Sequence, residues 1–271
     1  MESPSPFVCC GCPIRQMRKT LLTLLIVSVA IGVGVVSWAS YAQHDDAYRV
    51  NRAQKLVREI QQLAIGKSDY HAAEAIAGEF GNAPPPDGRD YYRENCAARE
   101  HIEECTFLIS MNDSPVERVL LRHPPLQHLG FSDWWGYAQI HISNGKIIHH
   151  SFWVWYKASN GRWRGFAWRE SQALPKYQPV EARISDSYSI QRNDLTNENG
   201  FGLQSSLTPR ATAAERQRAS RFDFACLAQK QGCGEICEVM PDAWRDFYET
   251  RGHLDVERLG SAYLFCSEPP K

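Results

Sequence analysis

Three patterns predict an α+β protein with an N-terminal transmembrane helix and helical stalk, then an antiparallel β-sheet domain with a short Cys-containing C-terminal helical region. They are an uncharged apolar run from Thr20 to Ala42, helix-period segments directly after it, and β-rich runs joined by Asn-Gly dipeptides. The 271 residues carry 30 Lys plus Arg against 31 Asp plus Glu and are 43% hydrophobic. Such a balance excludes a polybasic nucleic-acid binder and a disordered chain, so no nucleic-acid partner is expected.

As a helix rising ~1.5 Å per residue, Thr20 to Ala42 reaches about 34 Å, enough for a hydrocarbon core of about 30 Å. Arg15, Arg18 and Lys19 precede it, and His44, Asp45 and Asp46 follow. The basic flank keeps residues 1–19 in the cytoplasm, and the lipid bilayer becomes the first expected partner, through residues 20–42. Trp38 and Tyr41 sit where an interfacial ring belt belongs. Ser40 and Ala42 also satisfy the small-residue rule of a signal cleavage site, and Met17 is an alternative start. All of these readings export residues 43–271. The expected location is the inner membrane, single-pass, with the C-terminal domain periplasmic or extracellular.

Residues 43–82 read as the stalk. Val50, Leu56, Val57, Ile60 and Leu63 recur at helical intervals, with Asp46 as the expected cap; DYHAAEAIAGEFG follows Ser68 and stops at Gly81. NAPPPDGRD then breaks the chain, and residues 83–271 form the expected exported domain. TFLISMN reads as a strand. WGYAQIHIS, KIIHHSFWVWYKAS and RWRGFAWRE, separated by Asn144-Gly145 and Asn160-Gly161, read as a three-strand meander, because type I′ turns need positive φ at both central residues. SYSIQR and GFGLQSSLT add two strands. TAAERQRA and PDAWRDFYETRG, the latter with Pro241 in its first turn, read as helices.

Two-residue turns would pair Ile140 with His149 and His141 with Ile148, then Trp155 with Phe166 and Trp153 with Trp168. Trp153, Trp155, Phe166 and Trp168 would thus share one face, flanked by Lys157, Arg164 and Arg169. That face suits an envelope glycan or protein partner, or else a core under helices. Phe152, Val154 and Tyr156 would occupy the opposite face, so cover on both sides is expected, from the helices of residues 46–80 or the C-terminal region.

Six of the nine cysteines follow the apolar run: Cys96, Cys105, Cys226, Cys233, Cys237 and Cys266. An even number suits an oxidising exterior. Cys96 with Cys105 closes a short loop, and the other four pair among themselves. Their spacings match neither C-x-x-C nor a zinc knuckle. Cys9, Cys10 and Cys12 read as idle thiols on the tail, with metal binding or acylation as alternatives.

His149 and His150 point to opposite faces of a strand, whereas His141 and His150 would share one and could hold zinc with a third ligand from His123, His128 or Asp133. No nucleophile, metal-hydrolase or phosphate-loop motif stands in its proper context, and no cofactor is expected. The sequence therefore reads as a membrane-anchored, non-enzymatic binding or structural module. The alternatives are an exported hydrolase near His141 and His150, and a thiol-redox protein using Cys233 and Cys237.

The stretch FDFACLAQKQGCGEICEVMPDAWRDF, through Phe222, Phe224, Cys226, Cys233, Cys237, Pro241 and Trp244, resembles a group of bacterial single-pass exported proteins without a known activity. The resemblance implies a bacterial envelope and carries over no functional residue.

Overall fold

The computed structural model describes residues 13–81, 96, 104–111, 134–158, 161–175, 181–195, 200–229 and 232–255. Expectations on residues 1–12, the two Pro-rich loops, His123, His128, Asp133, Asn160 and Cys266 lie outside them. The chain divides into two compact units, residues 1–44 and 45–271.

Helix α1 runs from Pro13 to Gln62. Its apolar part reaches a mean hydropathy of 2.4, long and apolar enough to cross a membrane. Leu25, Ile31 and Val36 stand 62–66% exposed there. The expected new start at Asp46 does not occur. Neither Gly nor Pro separates the apolar run from the amphipathic one, so nothing terminates the helix. Asp46 is instead buried and accepts from Arg49 Nη1 at 3.2 Å. Arg49 also donates to the Trp134 carbonyl at 3.0 Å and lies 4.9 Å from that indole's centre.

In the second unit, α1 buries Val50, Ala53, Leu56, Val57 and Ile60 on one stripe. Helix α2, Tyr70–Phe80, is capped by Asp69, whose side chain accepts from the Ala72 amide, and stops at Gly81 with φ 76°. Seven strands follow: β1 (Glu104–Ser110), β2 (Trp134–Ser143), β3 (Lys146–Lys157), β4 (Trp163–Ser171), β5 (Glu181–Arg183), β6 (Tyr188–Leu195) and β7 (Gly200–Leu207). They form one sheet in the order β1-β2-β3-β4-β7-β6-β5. The sheet is mixed rather than antiparallel, because β7 lies parallel to β4. Turn signals fix only neighbours in sequence, and this pairing joins strands that are not. Helix α3 (Ala213–Ala219) opens with a Thr212–Glu215 capping box, and the chain continues through a 3-10 turn (Ala225–Ala228), α4 (Ile236–Val239) and α5 (Pro241–Asp255).

The two hairpins shift the expected register in different ways. Asn144 (φ 50°) and Gly145 (φ 71°) make the anticipated turn, and Ser143 pairs with Lys146 and Ile142 with Ile147. A β-bulge then leaves Ile148 unpaired, so His141 faces His149 and Ile140 faces His150. In the second hairpin the Ala158 amide bonds the Arg162 carbonyl, and Lys157 pairs with Trp163. That loop is one residue longer than a two-residue turn. Phe152 therefore pairs with Trp168, Val154 with Phe166, Trp153 with Ala167 and Trp155 with Gly165. A one-residue slip exchanges faces.

Phe166 and Trp168 consequently join Phe152 and Tyr156 on the helix-covered face, all at most 2% exposed. Phe222 and Phe224 close over them, with ring centres of Phe152–Phe222 and Phe166–Phe224 at 5.1 and 5.5 Å. Both expected covers thus pack on this one face. Arg164 belongs here too. It is 1% exposed and grips Glu235 through two bonds of 2.6 and 3.1 Å, while the Tyr156 hydroxyl donates to the Gly234 carbonyl. This clamp ties the loop before α4 to the sheet.

Cys96 lies at disulfide-bonding distance from Cys105, as expected, and Cys226 from Cys233. Cys237 is also disulfide-bonded. Cys233 is therefore joined to Cys226 and not to Cys237.

Candidate functional site

Strand alternation sends every second residue to the sheet's other face, and the cross-strand register arranges these residues in rows. The first row is Trp135, Trp155, Gly165 and Gly202; the second is Tyr137, Trp153, Ala167 and Gln204. Next comes Gln139, Ser151, Arg169, Ser206 and Ser189, and then Thr106, His141, His149 and Ser171. Of the four rings expected to share a face, Trp153 and Trp155 remain. Trp135 and Tyr137 take the places of Phe166 and Trp168.

The indole of Trp155 lies flat across two strands. A Cβ on Gly165 would meet it at 2.1 Å, so that glycine is required for the ring to lie down, and one on Gly202 would crowd it at 3.1 Å. Trp135 stacks on Tyr137 at 6.2 Å and approaches Trp155 at 6.3 Å, while Tyr137 meets Trp153 at 5.1 Å. Trp135 is 40% exposed and the other three are half-buried, which leaves ring surface for a ligand.

The Ser row differs in chemistry. Ser151, Ser189 and Ser206 are all fully buried, and among the described residues the hydroxyls of Ser151 and Ser189 have no hydrogen-bond partner. Arg169 Nη2 donates to Ser171 Oγ at 3.2 Å, but its Nε has no acceptor among the described residues. Burial lowers the Arg169 pKa. Buried groups of this kind ordinarily have partners, so a row of exceptions calls for an explanation.

In the last row His141 Nδ1 lies 2.7 Å from Thr106 Oγ1 and its Nε2 lies 3.2 Å from Glu104 Oε1. These contacts fix the ring's orientation and strap β1 to β2. His141 and His150 stand on opposite faces, contrary to the expected metal pair, because the bulge at Ile148 exchanges His149 for His150. His150 lies in the core and donates from Nε2 to the Leu63 carbonyl at 3.1 Å. Among the described residues, no three His, Cys, Asp or Glu side chains are grouped to hold a metal ion.

Burial lowers the pKa of His150 to about 4, with Arg216 adding to the effect and the Leu63 carbonyl opposing it. For His149, burial followed by the charge of Arg169 lowers it to about 3. Both imidazoles bind protons more readily when unfolded, near pH 6.5, so protonation favours unfolding. The stability they confer is complete above pH 6.5 and falls as pH drops toward 4. For His150 the loss by pH 4 is on the order of 3 kcal/mol. In urea denaturation at pH 7 and pH 4.5, His150→Gln should narrow the wild-type difference between the two midpoints; an unchanged difference would count against this origin.

Sequence reading missed Trp135, Ser151, Ser189 and Ser206. The alternation Ser151, Trp153, Trp155 against Gln139, Tyr137, Trp135 was present, but only the bulged register brings the two series face to face. No family model, no curated protein and no solved structure matches this chain.

Proposed function

We propose that this is a membrane-anchored, extracytoplasmic binding module, and that its ligand lies on the sheet face bearing Trp135, Tyr137, Trp153 and Trp155. The observation that carries the reading is the Trp155 indole held flat over Gly165 and Gly202, beside a row in which Arg169 Nε and the Ser151 and Ser189 hydroxyls have no partner among the described residues. A flat ring surface accepts the apolar face of a sugar, and neighbouring donors and acceptors accept its hydroxyls. The apolar helix and the cysteines at bonding distance support placement of this unit outside the cytoplasm.

Trp155→Ala removes the platform while its neighbours at 165 and 202, being glycines, lose no core packing. The full chain in detergent should keep its far-UV spectrum and its thermal midpoint within a few degrees, yet lose at least about tenfold in affinity for oligosaccharides, followed by tryptophan fluorescence. Undiminished binding by the variant, or no binding by the wild type, would overturn the ligand face. A reporter active only outside the cytosol, fused after Lys271, tests the topology: silence of that reporter in intact cells would overturn export.

A further inference from the structure

Arg169 is a guanidinium on the proposed ligand face with no carboxylate to balance it among the described residues. Its neighbours across the strands are Ser151 and Ser206, and beyond Ser206 stands Ser189. The adjacent Glu170 points to the other face, where it accepts two bonds from Arg216 at 2.7 and 2.8 Å. Glu181 does share the face, but β5 lies three strand spacings from β4, about 14 Å. It is paired, moreover, with Arg183 at 3.2 Å. His149, alongside, is held neutral by burial and by Arg169 itself.

A half-buried cation of this kind is costly unless something of opposite charge reaches it. Here the described residues offer a neutral acceptor, Ser171 Oγ, and no anion. Among the described residues the Arg169 Nε and the Ser151 hydroxyl, both buried, have no hydrogen-bond partner. From the geometry we infer that Arg169 and its cross-strand neighbour Ser151 form an anion subsite that takes the carboxylate of an acidic sugar whose ring lies against Trp153 and Trp155.

Charge and reach select that ligand. One unbalanced positive charge suits a monoanion better than a phosphate dianion, and a carboxylate matches the planar fork of a guanidinium. The ring position follows from the strand spacing: Ala167, opposite Trp153, lies two residues from Arg169, about 7 Å along β4. A pyranose ring with its carboxyl group spans a comparable length. This inference rests on the ring face being the ligand face.

The test uses the full chain in detergent at constant ionic strength, titrated with D-glucuronate, D-glucose and inorganic phosphate, and read by thermal midpoint and tryptophan fluorescence. Glucuronate should bind about 10- to 100-fold more tightly than glucose, the span of a charge-assisted pair. Phosphate should bind less well than glucuronate. Arg169→Gln should erase the preference without lowering the ligand-free midpoint, Arg169→Lys should keep only part of it, and Ser151→Ala should weaken it independently. Equal binding of glucuronate and glucose, or a preference that survives in Arg169→Gln, overturns the subsite. Phosphate binding as tight as glucuronate through Arg169 overturns the sugar assignment. If Trp155→Ala loses glucose and glucuronate alike while Arg169→Gln changes nothing, the ring face stands and the anion subsite falls. If Arg169→Gln abolishes binding and Trp155→Ala does not, the ring-face reading falls instead.

Discussion

Trp168→Ala should lower the stability of the folded chain by about 3–5 kcal/mol, the range for emptying a buried ring site. The indole is 2% exposed, stacks on Phe152 at 6.0 Å and lies 5.2 Å from the His150 ring. Phe222 and Phe224, which pack on the neighbouring Phe152 and Phe166, cannot slide into the space without giving up those contacts. The measurement is a urea midpoint at pH 7, and its control is Trp155→Ala. The two residues differ in side chain by nothing, yet the first should unfold far earlier than the second. Similar losses for both would mean that the two faces are equally part of the core.

Glu235→Ala should cost a comparable amount, about 3–5 kcal/mol, because it leaves Arg164 charged, buried and without its counter-ion. The loss should be local in character. Arg164 and Tyr156 fasten the segment of Gly234 and Glu235 to β4 and β3, so amide exchange in α4 should rise more than in β2 or β3. Arg164→Met combined with Glu235→Leu should recover much of the stability, since an apolar pair of similar volume needs no counter-charge. A single Glu235→Ala variant as stable as the wild type would mean that the ion pair contributes nothing net.

Much of this architecture was legible from local chemistry. The apolar run, the Asp69 and Gly81 helix boundaries, the Thr212 helix and the first Asn-Gly turn all depend on groups within a few residues of each other. What was illegible depends on counting along a strand. Ile148 carries no mark that distinguishes a bulged residue from its neighbours, and the second turn's extra residue is equally silent. Each shifts the pairing by one and thereby reassigns Phe166, Trp168 and His150. Because both faces of β3 carry large rings, the usual contrast between an apolar and a polar side gave no correction. The parallel neighbour of β4 was hidden for another reason: β7 arrives only after β5 and β6, and no short-range signal spans that interval. The candidate site suffered most, since a row across five strands exists only once every register is right.

The late arrival of β7 also has a consequence for biosynthesis. Strands β1 to β4 find their partners among sequence neighbours as the polypeptide emerges, but the outer edge of β4 stays open until Gly200–Leu207 has been made and folded back. Its free amides and carbonyls would meanwhile lie beside the rings of Phe166 and Trp168, an adhesive flank for any other unfinished strand nearby.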